Sequence, residues 1–159
     1  MTLWDRTFEE VSEKYPEIST ESLLIDAACM DFIRRPEDFD VVVASNLFGD
    51  ILTDIGAMIS GSLGLASSGN INPDEKVPSM FEPTHGSAPD IAGKGIANPM
   101  AQMLTASMML NHLGETEASK SIELSVLKVI EDGNTLTADL GGNASTKEVG
   151  NAVIRNIIE

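Results

Sequence analysis

Three aspartates and one glycine-rich loop have the residue types and spacing from which an active site can be built. Asp50 and Asp54 stand four apart in Asn46-Leu-Phe-Gly-Asp-Ile-Leu-Thr-Asp54, a stretch with helical periodicity. That spacing sets both carboxylates on one helical face, where like charges repel unless a cation lies between them. Oxygen donors of this kind suit a hard divalent ion, Mg²⁺ or Mn²⁺, and Asp26, ending Ser22-Leu-Leu-Ile-Asp26, supplies a third. The same acids also read as a charge at a helix N-terminus and a solvated side chain. On spacing alone both readings stand.

The loop His85-Gly-Ser-Ala-Pro-Asp-Ile-Ala-Gly-Lys-Gly95 is the second feature. Its glycines permit close backbone approach, and exposed amides there can hold a pyrophosphate. It is neither a Rossmann fingerprint, lacking a third glycine and a preceding strand, nor a phosphate loop of the Walker type. Asp90 is the kind of residue that binds free ribose hydroxyls and repels a 2′-phosphate. An ordinary surface turn and a structural role for His85 remain the plain alternatives.

The elements that must position these groups follow from periodicity and punctuation. Leu3, Trp4, Phe8, Val11 and Tyr15 recur at helical spacing, and Pro16 stops the helix. Ser22–Asp26 and Phe39–Ser45 read as buried strands, each followed by a helix, Ala27–Arg35 and Gly49–Ser60, the alternation of a parallel α/β sheet. Glycine, serine, asparagine and proline from Gly61 to Pro78 predict a long loop or hinge. Helices are expected from Pro99 to Leu113, over 115–132, and from Ser145-Thr146 onward, where Glu148 completes a capping box. The methionines of the first of these read as core packing, and His112 near its end as a partner of the helix dipole.

Composition narrows the function classes. With 25 acidic and 10 basic residues the formal charge is −15, and no Lys/Arg cluster offers a phosphate backbone a basic face. Nucleic acid is therefore not an expected partner. No apolar run reaches the ~20 residues of a membrane span, and the first residues carry no secretory signal, so a cytoplasmic location is expected. The single Cys29 excludes an intrachain disulfide framework.

Taken together, Asn46–Asp54 and Phe81-Glu-Pro-Thr-His-Gly-Ser-Ala-Pro-Asp-Ile-Ala-Gly-Lys-Gly-Ile-Ala-Asn-Pro99 strongly resemble the β-decarboxylating dehydrogenases: isopropylmalate, isocitrate, homoisocitrate, tartrate and D-malate dehydrogenases. Asn70-Ile-Asn-Pro73 and Pro78-Ser-Met-Phe-Glu82 look closest to the tartrate/D-malate branch, with isopropylmalate dehydrogenase next. The resemblance implies an α/β fold, with parallel-type α/β/α sheet layers of the isopropylmalate dehydrogenase kind, incomplete in this chain. Residues 1–60 would belong to the smaller, dimer-forming domain and 61–159 to the large cofactor-binding domain.

It further implies that Asp26, Asp50 and Asp54 bind Mg²⁺ or Mn²⁺ with the substrate, Asp26 acting catalytically in the other subunit of a homodimer. NAD would be held by His85, Gly86, Ser87, Ala88, Pro89 and Asp90, with Asn98 near the adenine and Glu82 by the nicotinamide ribose. NADP-linked isocitrate dehydrogenases carry a basic residue where Asp90 stands. The implied reaction is oxidation of a 2-hydroxy acid bearing a 3-carboxylate, with loss of CO₂.

Members of the family are roughly twice as long. Their substrate-binding arginines, lysine base and tyrosine acid would precede Met1, so the expectation is a C-terminal portion, inactive without an N-terminal half. A non-catalytic module that dimerises through the Asp50–Ser60 helix is the competing expectation.

Overall fold

The computed structural model describes residues 2–74 and 76–158. The chain divides into two compact units, Met1–Val42 and Val43–Glu159.

The first unit holds α1 (Thr2–Ser12), α2 (Ile25–Arg34) and a 3-10 turn at Pro36–Asp38. The apolar stripe of α1 covers no core: none of its residues is buried. In α2 the buried residues are Ala28 and Asp31. Asp31 is paired with Arg34 at 2.6 Å and Arg35 at 2.8 Å, and Arg35 also reaches Asp38 at 3.0 Å. One carboxylate facing two guanidiniums one turn on is what a nearly buried acid requires.

The second unit begins with α3 (Asn46–Ile59), passes a 3-10 turn at Leu63–Leu65 and forms a hairpin of β1 (Ser67–Asn70) and β2 (Met80–Pro83). The strands are antiparallel, with Ser67 opposite Pro83 and Asn70 opposite Met80. Gly69 lets the hairpin pack closely, since a Cβ there would stand 3.0 Å from the Phe81 ring. Then come α4 (Met100–His112), α5 (Thr116–Asp132), a 3-10 turn at Ala138–Leu140 and α6 (Thr146–Ile158). The core lies among these three helices: Met100, Val126, Val129, Val149, Ala152 and Val153, flanked by Leu65, Leu136 and Leu140. The seam between α4 and α5 is small and polar, with the buried Ser107 and Ser119 hydroxyls 2.9 Å apart. The capping box at α6 is present: the Ser145 amide donates to Glu148 at 2.8 Å, and the Glu148 amide donates to the Ser145 hydroxyl at 3.3 Å.

Several expectations are corrected. Neither Ser22–Asp26 nor Phe39–Ser45 is a strand: α2 already begins at Ile25, and Val41, in the middle of the second stretch, is 92% exposed. A β-branched run makes a strand only when another strand pairs with it, and among the described residues none does. The only paired strands among those residues are the antiparallel β1 and β2, and β1 lies inside the stretch expected to be a loop. Helix α3 starts at Asn46, three residues before the expected Gly49.

Acid should weaken the fold in a defined window. The Arg35 hydrogen bond, with the charges of both arginines, holds Asp31 below the usual carboxylate range. The Ser145 amide and hydroxyl do the same for Glu148. In the unfolded chain these groups titrate near about 4, so below that value the unfolded state binds more protons than the folded one. The stability they confer is therefore complete above about pH 5 and lost as pH falls through the lowered folded values. Thermal melts followed by circular dichroism from pH 7 to pH 3 should show a falling midpoint only in the acid limb. Glu148→Gln should shrink that fall.

Candidate functional site

Helix α3 lifts its two acids to the surface because its other side is committed to packing. Leu52 and Ala57 are buried, whereas Asp50 and Asp54 are exposed one turn apart. Asp50 Oδ2 accepts a hydrogen bond from Asn46 Nδ2 at 3.2 Å. Among the described residues no ion pair involves Asp26, Asp50 or Asp54. Two carboxylates one turn apart without a cationic partner are an oxygen-donor pair of the kind that Mg²⁺ or Mn²⁺ takes, so the donor set fits such an ion. Asp26 lies in the first unit, in the opening turn of α2 rather than at a strand end, exposed, with Oδ1 accepting the Ala27 amide at 2.9 Å. Among the described residues no three His, Cys, Asp or Glu side chains of this chain gather as a metal-binding group.

The residues expected to form a nucleotide loop are set on β2 and between β2 and α4. Glu82 is exposed on β2, on the opposite face to Phe81, whose ring packs on His112 at 5.4 Å between centroids. His112, expected to serve the helix dipole, thus has an aromatic partner. From His85 to Asp90 every residue is exposed. His85 Nδ1 lies 3.0 Å from the Gly86 carbonyl. A carbonyl only accepts, so Nδ1 carries a proton, and in the neutral ring Nε2 is left as acceptor. Ala88 adopts φ +42°, and Gly93 and Gly95 φ +76° and +67°. Among the described residues no protein acceptor takes the amides of Gly86, Ser87, Ala88 or Asp90; the loop's own bonds are Ile91 to Ala88 and Lys94 to Ile91. Exposed, unclaimed amides in a turning loop suit an anionic phosphate chain. The far end of the loop is pinned, since Thr146 donates through its amide to Gly95 and through its hydroxyl to Ala97.

Asn98, expected beside a nucleotide base, is already engaged. Its Oδ1 accepts the Met100 amide at the start of α4 at 2.9 Å, and its Nδ2 donates to Asp139 Oδ2 at 2.9 Å. Ser62 donates to the same carboxylate oxygen. Partial burial opposes ionisation of Asp139, but its hydrogen bonds together, that from Ser62 the strongest, outweigh it and hold the carboxyl below its usual range. Asp139 and Ser62 were not legible as site residues: nothing in Thr137-Ala-Asp-Leu-Gly-Gly142 points to partners 77 and 41 residues away. A surface hollow lined by Asn134, Thr135, Asn143, Glu148 and Arg155 holds none of the expected site residues.

Comparison with known proteins follows the same lines. A family model described as isocitrate/isopropylmalate dehydrogenase matches residues 1–153. The chain is 53% identical over 149 residues to a probable tartrate dehydrogenase/decarboxylase of Bacillus subtilis (strain 168), covering 94% of this chain and 42% of that protein. It is 48% identical over 157 residues to a 3-isopropylmalate dehydrogenase of Thermobifida fusca (strain YX), covering 99% of this chain and 43% of that one. The crystal structure of isocitrate dehydrogenase from Methylococcus capsulatus superposes with a TM-score of 0.93 at 41% identity, covering 99% of this chain and 46% of that one. The fold class is therefore the α/β class of these dehydrogenases, and the chain spans less than half the length of the curated relatives it matches. No helix among the described residues is long and apolar enough to cross a membrane. Matched along nearly all of its length, this chain belongs to the isocitrate/isopropylmalate dehydrogenase family.

Proposed function

We propose that the chain is the C-terminal portion of a metal- and NAD-dependent enzyme that oxidises and decarboxylates a 2-hydroxy acid bearing a 3-carboxylate, and that it is inactive alone. The observation that carries this reading is the exposed pair Asp50 and Asp54, one turn apart on α3 and without an ion-pair partner among the described residues, in a chain of this family. The stretches Asn70–Pro73 and Pro78–Glu82 favour a tartrate or D-malate type of substrate, with 3-isopropylmalate next; identities of 46–53% to probable tartrate dehydrogenases and 48–50% to 3-isopropylmalate dehydrogenases are compatible with either.

When bound, the cofactors supply an acceptor for the hydride at C2 and a positive charge beside the oxygen that becomes negative as CO₂ leaves. The protein's part is to hold and orient. Asp50 and Asp54 offer hard oxygen donors, with Asp26 contributed to the site of the second subunit of a homodimer. The amides of Gly86, Ser87 and Ala88 face the phosphates, with His85 and Pro89 shaping the loop about them. Asp90 accepts from ribose hydroxyls and its charge disfavours a 2′-phosphate. Glu82 lies at the nicotinamide ribose and Asn98 at the adenine. Residues 1–60 belong, in this reading, to the dimer-forming domain and 61–159 to the large one.

The test is complementation. Alone, the chain should show no NAD reduction with D-malate, tartrate or 3-isopropylmalate in the presence of Mn²⁺. Combined with the N-terminal half of a relative, it should turn over at least one of them. A completed protein inactive on all three removes the proposal.

A second reading, a non-catalytic module that dimerises through α3, is favoured by the exposure of Leu47, Ile51, Met58 and Ile59 on that helix. Calorimetry separates the two: NAD binding by the completed protein that is lost in Asp90→Ala excludes the module, and no binding supports it.

A further inference from the structure

Three segments far apart in sequence meet at one carboxylate oxygen. Asp139 Oδ2, in the 3-10 turn before α6, accepts from Ser62 Oγ at 2.5 Å and from Asn98 Nδ2 at 2.9 Å. Ser62 Oγ in turn accepts the Gly64 amide at 2.9 Å. The junction is close: a Cβ on Gly64 would fall 2.7 Å from Asn98 Cβ and 2.8 Å from Asp139 Oδ2. Only glycine leaves room for the pair.

The contacts fix which way the Asn98 amide faces. A carboxylate only accepts, so the nitrogen must point at Asp139; the Met100 amide only donates, so the oxygen must point at α4. Both requirements agree. With one N–H and one oxygen lone pair committed, Asn98 retains a single free amide N–H as donor. Without Asp139, the nitrogen loses the acceptor that orients it.

We propose that Asp139, steadied by Ser62, is a positioning residue for nucleotide binding: it orients Asn98 so that the free amide N–H is presented to the adenine end of NAD. This rests on the cofactor role given to Asn98 under Proposed function. Asp139 itself touches no reacting atom in this scheme, so its removal acts on binding and not on the chemical step.

The test uses the completed enzyme. Asp139→Ala should raise KM for NAD about tenfold while kcat stays within about twofold, the size of effect that losing a hydrogen bond to a charged group produces. Asp139→Asn should restore most of the affinity, because its side-chain oxygen can accept from the same two donors. Ser62→Ala, which leaves the Asn98 contact in place, should raise KM about threefold, and it serves as the probe if Asp139→Ala does not fold. In parallel, the side-chain amide protons of Asn98, followed by ¹H–¹⁵N NMR in the 159-residue chain, should move as Asp139 titrates in acid and lose that response in Asp139→Asn. A KM shift below twofold, an equal fall in kcat, or no rescue by asparagine overturns the proposal. If the unaltered completed enzyme does not use NAD, the functional reading falls and the positioning role falls with it. The NMR response then still reports the Asn98–Asp139 bond, so the two failures are told apart.

Discussion

Replacing Asp50 with asparagine in the completed enzyme should lower kcat/KM for the hydroxy acid by about a thousandfold, with saturating NAD and Mn²⁺. Asparagine keeps the shape and can still accept from Asn46 Nδ2, which lies 3.2 Å from Oδ2, so the first turn of α3 has no reason to rearrange. What is lost, under the proposed function, is one negative charge from the pair offered to a hard cation. Removing one stabiliser of developing charge costs about 10²- to 10³-fold in kcat, or about 3 to 4 kcal/mol of transition-state energy. Loss of a ligand charge adds weaker metal binding to that. Asp54→Asn should behave alike, and the double variant should cost less than the product of the singles, because two ligands of one ion act as a unit. Both positions are exposed, so the melting midpoint should hold nearly constant, as surface substitutions usually change stability by no more than about 0.5 kcal/mol. Steady-state kinetics beside thermal melts checks both halves. A variant that melts normally and turns over normally would mean that these acids only solvate the helix.

Gly142→Ala should be the most damaging small substitution in the fold. A Cβ at this position would lie 2.0 Å from the carbonyl oxygen of Leu136 and 2.5 Å from its carbon. Those are backbone atoms, which cannot swing aside as a side chain does. The turn is tied on both sides, by the Gly142 amide to Thr137 and the Ala144 amide to Leu136 at 2.9 Å. Leu136, Leu140 and Ala144 all pack on the core among α4, α5 and α6, so opening the turn also loosens that core. The expected cost is about 4 kcal/mol, at the upper end of single-residue effects. Gly133→Ala is the control: Gly133 has a left-handed backbone, φ +67°, but nothing lies within 4 Å of its Cβ, and about 1 kcal/mol is expected. Urea unfolding of the two variants measures the contrast.

The three C-terminal helices were legible because their signals are local. Apolar spacing runs at the helical period, Pro99 precedes α4, and Gly114 and Gly133, both at positive φ, close α4 and α5. The stretches misread as strands show the limit. Leu23-Leu-Ile25 and Val41-Val-Val43 have the composition of buried strands, but burial and pairing belong to whatever lies beside them, which no local pattern contains. The converse error is β1: Ser67-Ser-Gly-Asn70 has little strand propensity and is made a strand by Met80–Pro83 opposite. Of the candidate site, acid spacing and the glycine loop could be read directly, and family resemblance gave them roles. Asp139 could not be read, because its meaning lies in a contact with Asn98 and Ser62 that only folding creates.

The stacking of α4 on α5 and α5 on α6 also sets an order of events in folding. Elements adjacent in the chain are adjacent in space, so little loop-closure entropy opposes their assembly, and such low-contact-order units form within microseconds to milliseconds. Amide protons in this helical series should then exchange only through global opening of the unit Val43–Glu159. Those of Val41–Val43, exposed and unpaired among the described residues, should exchange at nearly random-coil rates.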